Sequence, residues 1–188
     1  MFALALITAC TATEQGLAPF YRDHIDRVLA DPPSDFVAEV LEDYEVTDAE
    51  YREARQRFQE CVEDAAPGLD VILPSTGGID VGRGDAFNER FDSDDAAQLA
   101  VDDIVATCGS ETANDIELIY LGVRDNPDAL RYPEALKECL KHVGATDGEG
   151  LSDAELVELV LDESYVPSSD AAAACIADPI AQLRSLTD

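Results

Sequence analysis

Apolar residues recur at helical spacing along most of the chain. Over 48–65 the stripe is Tyr51, Ala54, Phe58, Cys61, Val62 and Ala65; over 94–108 it is Ala97, Ala100, Val101, Ile104 and Cys108; over 133–143 it is Leu136, Cys139, Leu140 and Val143. Steps of three and four keep these side chains on one face of a helix turning every 3.6 residues. The same period predicts helices over about 18–30, 34–44, 113–124, 153–163 and 170–185, the last broken at Pro179, which cannot continue an i to i−4 ladder. Two helix starts carry capping boxes, Thr47-Asp48-Ala49-Glu50 and Ser152-Asp153-Ala154-Glu155. In each, the hydroxyl accepts from the N3 amide and the glutamate reaches back. Val46 with Tyr51, and Leu151 with Leu156, are placed as hydrophobic staples. Ser34 and Ser93 are further N-cap candidates, and Asn126-Pro127 reads as an N-cap with proline at N1.

One stretch breaks the helical rule. "LDVILPSTGGIDVGRG" runs from β-branched Val71-Ile72 through Ser75-Thr76-Gly77-Gly78 to Ile79-Asp80-Val81. That predicts a β-hairpin with strands near 69–73 and 79–82, laid on the helices because a lone hairpin is marginal in water. The expected fold class is mainly α with a small β-hairpin (α+β), of about seven to eight helices.

Charge alters the picture of the surface. The 188 residues carry 41 acids and 12 bases, a net charge of −29, spread as −7 over 10–45, −10 over 46–110 and −12 over 111–188. With 46% hydrophobic residues the chain can still bury a core. An evenly acidic surface repels phosphate, so nucleic acid is not an expected partner; loose binding of divalent cations is the most it promises.

The opening stretch "MFALALITAC" changes the compartment. Phe2 to Ile7 suits the apolar core of an export signal, though too short to span a bilayer. Ile7-Thr8-Ala9-Cys10 resembles the bacterial lipobox, which implies cleavage before Cys10 and lipidation of that cysteine. No Lys or Arg precedes the run, so the basic n-region is expected upstream of Met1. The organisation is then a signal peptide over 1–9, a tether over 10–19 and a single helical domain over 20–188. Within that domain, N-terminal helices occupy 20–45, a helix–hairpin–helix module 46–110 and a helical module 111–188.

"VTDAEYREARQRFQECVEDA", the hairpin, "NPDALRYPEALKECL" and the late "ACIADP" resemble a family of uncharacterised actinobacterial secreted lipoproteins. The resemblance covers about 40–180 and rests on Tyr51, Cys61, Cys108, Asn126-Pro127, Cys139 and Cys175. It implies export and a disulfide-bonded helical domain, and carries no catalytic residue.

Cys61, Cys108 and Cys139 lie on apolar stripes and Cys175 sits beside Ile176. In a reducing cytosol they would be small buried hydrophobes; in an exported chain two disulfides are the better account. Helices over 133–143, 153–163 and 170–178 alternate in direction, so Cys139 and Cys175 come to similar heights. The pairing expected is Cys139 with Cys175 and Cys61 with Cys108, the loop around 84–93 carrying the chain back. Zinc on Cys61, Cys108, Cys139 and His142 lacks any CxxC.

Candidate chemistry is sparse. His24 and His142 are the histidines, and neither lies in a GxSxG or HExxH pattern. "TDGEGLSDAEL" departs from a calcium loop at Ala145 and in its spacing to Glu155. Arg83-Gly84-Asp85 spells an integrin-type tripeptide on an expected loop. No catalytic residue, metal or cofactor is assigned. The expectation is a lipid-anchored extracytoplasmic protein at the bacterial cell membrane, binding or structural in role. The competing readings are a hydrolase whose site is assembled only in the fold, and a cytosolic acidic mimic of nucleic acid.

Overall fold

The computed structural model describes residues 17–74, 77–162 and 164–187. The signal peptide, the lipobox with Cys10 and most of the tether lie outside the described residues. Ten helices and one hairpin follow in order: α1 Pro19–Ala30, α2 Asp35–Leu41, α3 Asp48–Ala65, β1 Leu69–Ile72, β2 Asp80–Arg83, α4 Asp85–Asn88, α5 Asp94–Thr112, α6 Asn114–Asp125, α7 Tyr132–His142, α8 Asp153–Leu161, α9 Asp170–Ala177 and α10 Pro179–Thr187. Thr47 and Ser152 form the expected capping boxes, and Ser34 and Ser93 cap α2 and α5. Pro179 starts a new helix, so the last predicted helix is two.

Three expectations are corrected. Asn126 does not start a helix: its own N–H closes the end of α6 on the Gly122 carbonyl. Its side chain then donates to Leu130 O (2.9 Å) and accepts from Leu130 N (3.0 Å). With Ala129 at φ 51° the chain turns there, and α7 begins only at Tyr132. The span expected as a return loop contains α4, whose Phe87 is fully buried. Arg83-Gly84-Asp85 is no exposed loop: it joins the end of β2 to the first residue of α4, and Asp94 holds the Arg83 guanidinium (2.8 Å).

Burial divides the molecule into three clusters. Phe58, Val62, Leu69, Phe87 and Val101 join α3 to the hairpin, α4 and α5. Tyr21, Ile25, Val37, Leu41, Ile116 and Ile119 join α1 and α2 to α6, with Ala54 of α3 closing the same space. Leu136, Leu140, Leu156 and Ala172 pack α7, α8 and α9 together. Each fully buried Leu, Ile or Phe contributes about 1.5–3 kcal/mol. Helix α3 serves two clusters because its stripe is wide enough to face both sides. The third cluster joins the others through α10, which touches α6 and α7, and through an ion pair of Arg184 with Asp125.

Both cysteine pairs are as expected. Cys61 and Cys108 tie α3 to α5 and Cys139 and Cys175 tie α7 to α9, each with Cα atoms 5.7 Å apart. Alternation of α7, α8 and α9 sets the second pair side by side, and Tyr132 Oη adds a hydrogen bond to Ile176 O (2.9 Å) across the same two helices.

Candidate functional site

Beside the hairpin, α3, α5 and α6 leave a groove of about 440 Å³. Phe58, Val105 and Leu118 face Ile79 and Val81 across it, with the polar side chains of Asn114 and Glu117 at the same wall. Val81 points inward because strand side chains alternate: Leu69 and Val71 meet the helices while Asp70, Ile72 and Asp80 are exposed. Leu118 remains 40% exposed, a large apolar side chain on the open side of α6. Apolar walls with a few placed polar groups are the usual make-up of a binding surface. The Cys61–Cys108 bridge lies just behind it, fixing the helices that carry Phe58 and Val105.

The turn between the strands is fastened from below. Arg55 is the buried charged side chain among the described residues, 7% exposed, and its Nη2 donates to Pro74 O (2.8 Å) and Gly78 O (2.7 Å). Gly78 N–H donates to Glu117 Oε1 (3.0 Å). Gly77 stands at φ +97°, and a Cβ there would lie 3.2 Å from Leu121 Cδ1, so the turn requires glycine at that position. Beneath it the Tyr51 and Tyr120 rings stack 4.1 Å apart at 13°, with Arg55 and Arg124 guanidinium groups 5.4 Å and 5.7 Å from the outer ring centroids. Burial pushes the Tyr51 phenol up, and the nearby Glu117 charge adds to it. The Tyr120 phenol is raised first by the hydrogen bond it donates to Asp48 (2.8 Å). Tyr51 Oη and Arg55 Nε are buried and find no hydrogen-bond partner among the described residues.

Arg55→Met should therefore keep the stem of the side chain and lose both carbonyl contacts. Hydrogen bonds from a charged donor contribute about 1.5–3 kcal/mol each, discounted here because the freed carbonyls can turn toward water. The expected loss is about 2 kcal/mol in urea unfolding, with faster amide exchange at Gly77 and Gly78 and none at α7–α9.

The sequence-predicted residues fall elsewhere. Cys139 and Cys175 lie in the third cluster. His24 Nε2 sits 2.7 Å from Asp115 Oδ1 and ties α1 to α6; among the described residues neither side chain is hydrogen-bonded to a hydroxyl or thiol. His142 is exposed at the end of α7 and borders a second cavity with Arg124, Leu130 and Ile180. Asp147, inside the calcium-like stretch, accepts hydrogen bonds from Tyr165 and Ser168 and so pins the loop after α8. Arg55, Glu117 and Leu118 went unread. Arg55 had a signal: it occupies the apolar stripe of α3, between Tyr51 and Phe58, where a charge is out of place.

Among the described residues no group of three or more His, Cys, Asp or Glu side chains is arranged to hold a metal ion. No helix there is long and apolar enough to cross a membrane. What fold and groove define is a disulfide-linked helical domain with a hairpin-edged surface cleft. Comparison with protein-family models, curated proteins and solved structures gave no match for the chain.

Proposed function

We propose that this chain is an exported, lipid-anchored binding domain held at the extracytoplasmic face of a bacterial membrane, with the groove beside the hairpin as its ligand surface. The observation that carries the reading is the pairing of all four domain cysteines at bonding distance, because such bonds persist in oxidising compartments and are rare in a reducing cytosol. The lipobox-like Ile7-Thr8-Ala9-Cys10 and the resemblance to secreted actinobacterial lipoproteins support the same compartment. The groove supports a binding role, since Leu118 stays exposed at the rim of a partly buried apolar wall with Phe58 at its base. Intact-mass measurement on protein from its native host tests the anchor. The expected species begins at Cys10, carries acyl chains and offers no free thiol. An unacylated chain retaining Met1, or four free thiols, would remove the reading.

A further inference from the structure

The groove lies under β2, whose outer edge meets no further strand among the described residues, and the backbone chemistry of that edge names a ligand class. Gly84 N–H donates to Gly68 O (3.0 Å), which places those two residues in a hydrogen-bonded pair directly opposite one another. The register continues Leu69↔Arg83, Asp70↔Gly82, Val71↔Val81 and Ile72↔Asp80. Antiparallel pairs alternate, so the 70–82 and 72–80 pairs exchange the bonds that join the strands. Val81 and Arg83 belong to the other set, and their N–H and C=O groups point away from β1. The sheet has two strands, and no hydrogen bond within the described residues uses those four groups.

The two edges of the hairpin differ. On β1, α3 packs alongside and Leu69 N–H is already bonded to Ala66 O (3.1 Å). On β2, Val81 lines the groove with Ile79 just before the strand, and Phe58, Val105 and Leu118 stand opposite. Open edges are usually guarded by charge or proline. The basic side chain of β2, Arg83, is drawn to Asp94 instead, where Nη1 donates to the carbonyl and Nη2 to Oδ1.

Resting on the reading of the chain as a binding domain, we propose that β2 accepts an extended basic peptide as a third strand, whose alternate apolar side chains enter the groove. Main-chain bonds to Val81 and Arg83 supply the pairing, and the period of two delivers every second side chain to the face Val81 occupies. The net charge of −29, with Glu117 lining the groove and Asp80 on the exposed face of β2, selects a cationic partner and repels an acidic one. It also opposes pairing of β2 with a second copy of the chain.

The test uses the full oxidised chain, 15N-labelled, and the capped heptapeptide Lys-Val-Lys-Val-Lys-Val-Lys. Saturable amide shifts should centre on 79–83 and 114–118, and the same peptide with Glu for Lys should bind about tenfold more weakly or not at all. Backbone N-methylation provides the decisive arm, because alternate residues of an added strand face β2. Methylating one set, the valines or the lysines, should cost about tenfold, and methylating the other set should cost little. Equal effects of the two sets, with binding abolished by Leu118→Glu, would overturn strand addition and leave the groove as a binding surface. Shifts that scatter over the acidic surface without saturating, no shifts at all, or self-association of the free chain would each overturn the inference. The anchor is decided by mass and stands or falls separately.

Discussion

Replacing Cys139 and Cys175 by alanine is expected to lower the melting temperature by about 10 °C and to release the C-terminal helices from cooperative protection. The bridge closes a loop of 36 residues in sequence. On the chain-entropy account it removes about 4 kcal/mol of freedom from the unfolded state. A domain of this size loses about 2–4 °C per kcal/mol, which sets the shift. Locally the bridge matters more, because the α7–α9 cluster has few large buried side chains: Leu136, Leu140 and Leu156 beside the cysteines themselves. Alanine is the right replacement, since both positions are fully buried and serine would bury an unpaired hydroxyl. Amide exchange should quicken across 132–177 while α3 and α5 stay protected. A shift below about 2 °C would mean that the unfolded chain is little constrained by this bridge. The Cys61–Cys108 bridge, spanning 47 residues, should contribute a similar amount. Its loss should loosen the groove walls as well.

Phe87→Ala should cost about 4 kcal/mol. The ring is fully buried, 5.0 Å from the Phe91 ring, in the cluster that seats the hairpin on α3 and α5. Removing it leaves a cavity that the surroundings cannot close. On one side Gly68, at φ +103°, already brings its backbone so near that a Cβ would lie 3.3 Å from Phe87 N. On the other side the α3–α5 bridge fixes the helices. The urea midpoint should fall with the slope unchanged. Phe87→Leu should recover part of the loss, because it refills most of the volume. If alanine cost under about 1 kcal/mol, Phe87 would not be what seats the hairpin.

The local signals were strong where a short span contains its own reason. Thr47 to Glu50 and Ser152 to Glu155 fold into caps because both partners lie within four residues. The stripe of α7 predicted its buried face and that of α3 did so up to Val62, Ala65 being exposed where the helix ends; the Val71 and Val81 runs predicted the hairpin, for the same reason. The Cys139–Cys175 pairing was reachable too, since alternation of three short helices brings those cysteines to similar heights. Asn126 misled because its side chain suits a cap, and what it caps depends on where Leu130 turns back. Phe87 was hidden because α4 is four residues long, too short to show a period.

What the sequence determined by itself was the helical class, the caps, the hairpin, the acidic surface and the cysteines to be paired. All of these follow from composition or from spacings of a few residues. What only the tertiary structure decided was the groove and the clamp under the turn. Phe58, Val81, Val105 and Leu118, like Arg55 with Pro74 and Gly78, come from separate elements. Side-chain periodicity shows that a face is buried and not which neighbour it meets, because pairing between elements depends on loop paths and shape complementarity that no local pattern encodes.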